Sequence, residues 1–122
     1  MTDRYGHFID GSWRDPAGGA YFESINPATL EVLYEAARGD AADVELAVAA
    51  ARRAFEAPSW SSLTATQRGK LLRRLGDLVA QNADELARLE SLDNGKLLRE
   101  MRGQLASLPE YLYYYGGLAD KI

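Results

Sequence analysis

The chain has 122 residues, 47% of them hydrophobic and 26% charged, with 18 acidic against 14 basic side chains, one histidine and a formal net charge of −4. That is globular composition rather than disorder, and mild acidity without a basic block argues against a nucleic-acid partner. Cysteine is absent, which removes disulfides, thiolate metal sites and thiol nucleophiles from these residues, and no apolar run approaches the ~20 residues of a membrane span.

The N-terminus, Met1-Thr2-Asp3-Arg4, has no apolar signal core, so a cytoplasmic protein without a membrane partner is expected. Residues of about 8–37 read as short antiparallel strands. Phe8-Ile9-Asp10-Gly11-Ser12-Trp13 sets an Asp-Gly pair among apolar residues, the pattern of a tight turn with positive φ. Asp15-Pro16-Ala17-Gly18-Gly19 reads as a loop and Tyr21 to Ile25 as an extended run. Asn26-Pro27-Ala28-Thr29 ends that run, because the residue before a proline is held extended. Glu31 to Ala37 is a third strand, closed by Gly39. The simplest arrangement is a two- or three-stranded antiparallel meander.

Helices are predicted over about 40–56, 64–92 and 96–118. Asp40 with Asp43 reads as an N-cap pair. Val44, Ala47, Val48, Ala51 and Phe55 then recur at helical spacing until Pro58 ends the helix. Thr64 with Gln67 is a capping box, followed by an apolar face of Leu71, Leu72, Leu75, Leu78 and Val79. Gln81-Asn82 is a point of interruption, with Asn82 and Glu85 as a second cap pair, before Leu86, Leu89 and Leu92. Asn94-Gly95 stops that helix. The last helix carries Leu105, Leu108, Leu112, Tyr115 and Leu118 as its stripe, with Pro109 starting or kinking part of it. Three further tyrosines, Tyr111, Tyr113 and Tyr114, lie around its other sides. A helix apolar on several sides is buried by several neighbours. The expectation is therefore the front end of a larger folded unit.

Few residues offer chemistry. His7, the one histidine, reads as a solvated side chain near a terminus, and no His or Cys cluster exists for zinc or iron. Gly11-Ser12-Trp13 is not a nucleophile elbow, and no Gly-x-Gly-x-x-Gly or Walker A loop is present. Glu31 with Glu35, Glu85 with Glu90, and the row Arg68, Lys70, Arg73, Arg74 read as solvated faces. The Tyr113-Tyr114-Tyr115 run reads as packing before base stacking or a ligand channel. The Asp93-Asn94-Gly95 corner and the Ser24-Ile25-Asn26-Pro27 bend offer a carboxylate and carbonyls, a weak match to the shell of a hard cation.

In order along the chain, these motifs resemble the opening of the aldehyde dehydrogenase superfamily. The resemblance rests on Phe8 to Trp13, Ile25-Asn26-Pro27-Ala28-Thr29, Glu31-Val32 and Asp40 to Phe55. It continues through Trp60, Arg68-Gly69, Leu71-Leu72, Leu75 and Leu78. Glu90 to Lys96 and Tyr114 to Lys121 complete it, so that it covers nearly the whole chain, about Tyr5 to Ile122. Leu97 stands where many members place proline after Asp-Asn-Gly-Lys.

The resemblance implies an α/β fold, with this α+β stretch of strands and helices leading into a cofactor-binding domain. It implies oxidation of an aldehyde to a carboxylic acid by a cysteine thiolate, hydride transfer to NAD or NADP, and hydrolysis of the thioester with a glutamate's help. The nucleophile, the base and the cofactor loops would all lie beyond this chain, so no catalytic or cofactor-binding residue is assigned and the chain alone is expected to be inactive. Two sets carry over. A structural Na⁺ or K⁺ would take the carbonyls of Ser24 and Ile25 and the carboxylate of Asp93, and Leu108, Leu112 or Tyr115 would line the substrate entrance. The implied partners are a small aldehyde, the rest of the same polypeptide, and further copies in a homo-oligomer. A different class of reading is a free-standing interaction module using the strands and the Tyr-rich helix. A nucleic-acid binder rests only on tyrosines and a few arginines.

Overall fold

The computed structural model describes residues 3–121. Ile122, where the resemblance ends, lies outside them. The chain divides into two compact units, Met1–Ser61 and Ser62–Ile122.

The first unit holds the strands. They are β1 (Arg4–Tyr5), β2 (His7–Ile9), β3 (Ser12–Arg14), β4 (Tyr21–Ile25) and β5 (Val32–Ala37), followed by helices α1 (Ala41–Glu56) and α2 (Pro58–Ser61). The run Phe8 to Trp13 is itself a hairpin, with Ile9 opposite Ser12 and His7 opposite Arg14. Its two loop residues, Asp10 and Gly11, have φ of 57° and 74°. Both signs are positive, as the type I′ turn requires for the twist of a two-residue hairpin. β4 and β5 pair antiparallel, with a register shift at Ser24/Ile25. The predicted antiparallel pairing is thus present, but as a hairpin and a separate sheet rather than one meander. The sheet gains β1, which sequence alone did not mark, running parallel to β5 with Arg4 opposite Glu35. Two residues carry too little periodicity to read as a strand. Their pairing is reinforced by Arg4 Nη2 2.7 Å from Glu35 Oε2 and by the Arg4 guanidinium 4.4 Å from the centre of the Tyr21 ring.

α1 begins at a capping box: the Asp40 carboxylate accepts from the Ala42 and Asp43 amides, and Asp43 Oδ2 accepts from the Asp40 amide at 3.0 Å. It stops at Ala57, extended as a residue before proline must be. Its predicted apolar face is not inward. Val44, Val48 and Phe55 are exposed, and the buried residues of the helix are Asp43 and Ala50.

The second unit is a cluster of three helices: α3 (Ala65–Gln81), α4 (Ala83–Asn94) and α5 (Leu98–Leu118). The predicted helix over 64–92 is two helices broken at Asn82. The Thr64–Gln67 capping box is present in both directions. Asn82, however, makes no side-chain cap with α4; its Nδ2 donates backward to the Leu78 carbonyl at 2.7 Å. An amide side chain spent on the preceding helix is not free to cap the next one.

The interior of this unit combines small residues with one methionine. Gly69, Gly76, Ala87, Met101 and Pro109 are buried, whereas Leu71, Leu75, Leu78, Leu86, Leu89 and Leu92 are exposed. Gly69 and Gly76, seven apart, lie on one face of α3 by helical periodicity. A Cβ added at Gly69 would come under 3.0 Å from the Gly116 carbonyl oxygen, and one added at Gly116 would lie 2.8 Å from that of Gly69. α3 and α5 therefore cross backbone to backbone. Lower down, Gly76 makes room for the Tyr113 ring, whose hydroxyl donates to Asp77 Oδ1 at 3.1 Å. Of the apolar face predicted for α3, Leu72 and Val79 are half-buried and Leu71, Leu75 and Leu78 lie outward. Pro109 neither starts α5 nor ends it; it is buried within the helix.

Candidate functional site

In the first unit the most enclosed polar group is Asp43. Its carboxylate accepts from the Asp40 amide and, at 2.9 Å, from the Ala17 amide. His7 Nε2, buried and without a hydrogen-bond partner, lies 3.6 Å from Asp43 Oδ2. The Asp40 amide first, then the Ala17 amide, hold the Asp43 carboxyl below its ordinary value, with a smaller contribution from His7, while burial opposes them. His7 is thus not the solvated side chain that its nearness to the terminus suggests. Pairing of its strand with β3 turns it toward the start of α1. This cluster ties the loop around Ala17 to the helix.

Ser24 and Ile25 are adjacent at the end of β4, at the register shift. Beyond them Asn26 is buried and organises the bend: its Oδ1 accepts from the Ala28 amide at 2.9 Å, and its carbonyl accepts from the Leu30 amide at 2.8 Å. Leu30 closes the bend at φ 63°. In the second unit, Asp93 belongs to the last turn of α4, which ends on Gly95 at φ 76°. The Asn94 side chain bridges that corner, accepting from the Lys96 amide and donating to Glu90. No group of three or more His, Cys, Asp or Glu side chains suited to a metal occurs among the described residues.

On α5, Leu108 and Tyr115 are exposed and Leu112 is half-buried. The Tyr115 ring meets Tyr114 edge-on at 5.3 Å, and it lines an open hollow of about 420 Å³ with Glu110, Tyr111 and Tyr114. The tyrosine run is split: Tyr113 turns inward against α3, and its neighbours turn outward. Burial, and then the Asp77 bond, raise the Tyr113 phenol. Glu110, Tyr111, Tyr114 and Tyr115 follow the spacing of one helix face.

The first amides of α1 and of α3 are taken by their own capping boxes, whereas α4 and α5 begin without a side-chain cap. No helix is long and apolar enough to cross a membrane, among the described residues.

The sequence model of the aldehyde dehydrogenase family matches residues 13–122. A (Z)-2-((N-methylformamido)methylene)-5-hydroxybutyrolactone dehydrogenase of Acinetobacter baylyi is 50% identical over 115 residues, covering 94% of this chain and 23% of that protein. A hydroxyisobutyraldehyde dehydrogenase of Mycolicibacterium austroafricanum is 44% identical over 115 residues, covering 94% of this chain and 22% of the relative. Among solved structures, the NAD-dependent aldehyde dehydrogenase of Sinorhizobium meliloti superposes with a TM-score of 0.91 at 32% identity, over 100% of this chain and 24% of that one. The chain spans less than a quarter of the length of these relatives.

Proposed function

The chain belongs to the aldehyde dehydrogenase family, and from that premise we propose that it is the N-terminal section of an NAD(P)-dependent oxidoreductase that converts an aldehyde to a carboxylic acid. The observation that carries this reading is the superposition of all of its strands and helices on a NAD-dependent relative with a TM-score of 0.91. Thiolate attack, hydride transfer and thioester hydrolysis fall to residues outside this chain, which has no cysteine. In this reading the cofactor is held by the rest of the polypeptide, and no step involving NAD or NADP is assigned to the residues of this chain. Their part is structural and positional. The resemblance's monovalent-cation ligands, Ser24 and Ile25 in the first unit and Asp93 in the second, belong to this proposal. So do Leu108, Leu112 and Tyr115 as entrance residues, a cytoplasmic location and a homo-oligomeric assembly.

The test is a chimaera. This chain replaces the matching stretch of the Acinetobacter baylyi relative, and reduced nicotinamide is followed by absorbance. The chimaera is expected to oxidise that relative's substrate, and the 122-residue chain alone to oxidise no aldehyde with NAD or NADP. A correctly folded but inactive chimaera, or activity of the chain alone, overturns the reading. The exposed leucines of the second unit favour one alternative, a free-standing interaction module. It requires the isolated chain to melt cooperatively and to stay monodisperse.

A further inference from the structure

At the end of α4 an asparagine is followed directly by a glycine, Asn94-Gly95. Such a pair carries both partners of a reaction. The side-chain carbon Cγ of Asn94 is an electrophile, and the backbone nitrogen of Gly95 is one ring closure away from it. Glycine has no Cβ to obstruct that approach and adopts the backbone angles it requires. The reaction takes no enzyme and no co-reactant but water, so it does not depend on how much of the corner a longer polypeptide covers.

The fold restrains both partners. The Gly95 amide caps α4 by donating to the Ser91 carbonyl at 3.0 Å, with Gly95 at φ 76°. The nucleophile is that nitrogen after loss of its proton, and a proton held in a hydrogen bond is not free to leave. The Asn94 side chain is pinned at both ends. Its Oδ1 accepts from the Lys96 amide at 2.9 Å, and its Nδ2 donates to Glu90 Oε1 at 2.9 Å. The same Glu90 oxygen accepts from Lys96 Nζ at 3.1 Å. Once the cap opens, the contact on Oδ1 changes its effect. A donor there steadies the negative charge that develops on the oxygen as Cγ is attacked.

We propose that Asn94 is a self-modifying site, deamidated through a cyclic imide with Gly95 at a rate set by opening of the α4 C-cap. In the open state the deprotonated Gly95 nitrogen bonds to Cγ, and the side-chain nitrogen leaves with a proton as ammonia. Water then adds to either carbonyl of the imide and leaves aspartate or isoaspartate at position 94. The corner does not recover from this step. A carboxylate takes the place of the donor that Glu90 accepts from, and negative charge is added at the C-terminal end of a helix, where the dipole opposes it. A chain that has opened here is thereby marked, and its α4 ends less firmly. The site rests on Asn94 and its neighbours and is independent of the aldehyde dehydrogenase reading.

The test incubates the 122-residue chain, the chimaera with the Acinetobacter baylyi relative, and a free peptide of residues 89–99 near neutral pH. Peptide mapping by mass spectrometry follows the exchange of amide for acid at Asn94. The chimaera presents the corner with its remaining neighbours, so a chain that does not hold its fold alone leaves the comparison standing. Deamidation is expected to be at least about tenfold slower in the folded protein than in the peptide, by the same factor as the hydrogen-exchange protection of the Gly95 amide, because one local opening releases both. Urea below the unfolding transition should raise the two rates together. Asn94→Asp should lower Tm by about 2–4 °C, and Glu90→Gln in that background should restore part of the loss. The proposal is overturned if folded protein and peptide react equally fast, if the rate stays fixed while Gly95 protection falls, if Asn94 stays intact while its cap is measured to open, or if Asn94→Asp melts as the parent does.

Discussion

Replacing Gly69 by alanine sets two effects of opposite sign against each other, and the crossing of α3 and α5 decides between them. In a helix interior alanine is favoured over glycine by about 1 kcal/mol, so an unobstructed site gains stability. Gly103 is such a site, since a Cβ there meets nothing within 4 Å. At Gly69 the added carbon would come under 3.0 Å from the Gly116 carbonyl oxygen and within 3.1 Å of the Ala119 Cβ. The obstructing oxygen is backbone and cannot rotate aside, so the helices must separate. Overpacking typically costs about 1–3 kcal/mol, and a backbone clash belongs at the upper end. With the propensity gain subtracted, Gly69→Ala should destabilise by about 2 kcal/mol, or about 8 °C in Tm at roughly 4 °C per kcal/mol. Gly103→Ala should instead stabilise by about 0.5–1 kcal/mol. Urea and thermal unfolding followed by helical circular dichroism measure both. The double variant Gly69→Ala/Gly116→Ala should lose less than the sum of its singles, because one separation of the helices relieves both clashes. If Gly69→Ala melts at or above the parent while Gly103→Ala also gains, the backbone-to-backbone crossing is wrong.

Two further outcomes follow from the first unit. Leu30 is exposed yet held at φ 63°, a conformation that costs a side chain with a Cβ about 1–2 kcal/mol; Leu30→Gly should therefore raise stability by about 1 kcal/mol in the same unfolding assay, and a loss refutes the strain. Asp43 has its carboxyl held below the ordinary value of 3.8, so its contribution is complete above that value and is lost as pH falls through the depressed one. Unfolding between about pH 5 and pH 2 should show the parent losing stability more steeply than Asp43→Asn, and parallel curves would dismiss the clasp.

Local signals in the sequence were the reliable ones. Asp40 with Asp43, Thr64 with Gln67, and Asp10 with Gly11 each act within four residues, so their structures follow from covalent neighbours. The buried faces did not. Leucine periodicity in α3 and α4 marked apolar faces correctly, but which face meets a neighbour depended on where backbones approach, and that was set by Gly69, Gly76 and Gly116. Hydrophobic periodicity cannot register a glycine contact, because the residue that permits it adds no hydrophobic side chain. β1 was invisible because its pairing partner lies thirty-one residues away, Arg4 against Glu35. Among the candidate residues, His7 reads as solvated from its place near the terminus, although its strand partner sets it 3.6 Å from Asp43. Position along the chain cannot show that contact, because it depends on the pairing of β2 with β3.

The glycine crossing also turns a common expectation about mutational tolerance upside down. In most helical clusters the leucines resist exchange and the small residues drift. Here a saturation library of the second unit should find Gly69 and Gly116 nearly immutable for folding, since every alternative begins by adding the atom that does not fit. The outward leucines should accept isoleucine or methionine freely in the same screen, and any intolerance at those positions would then report on what they touch rather than on how the helices hold together.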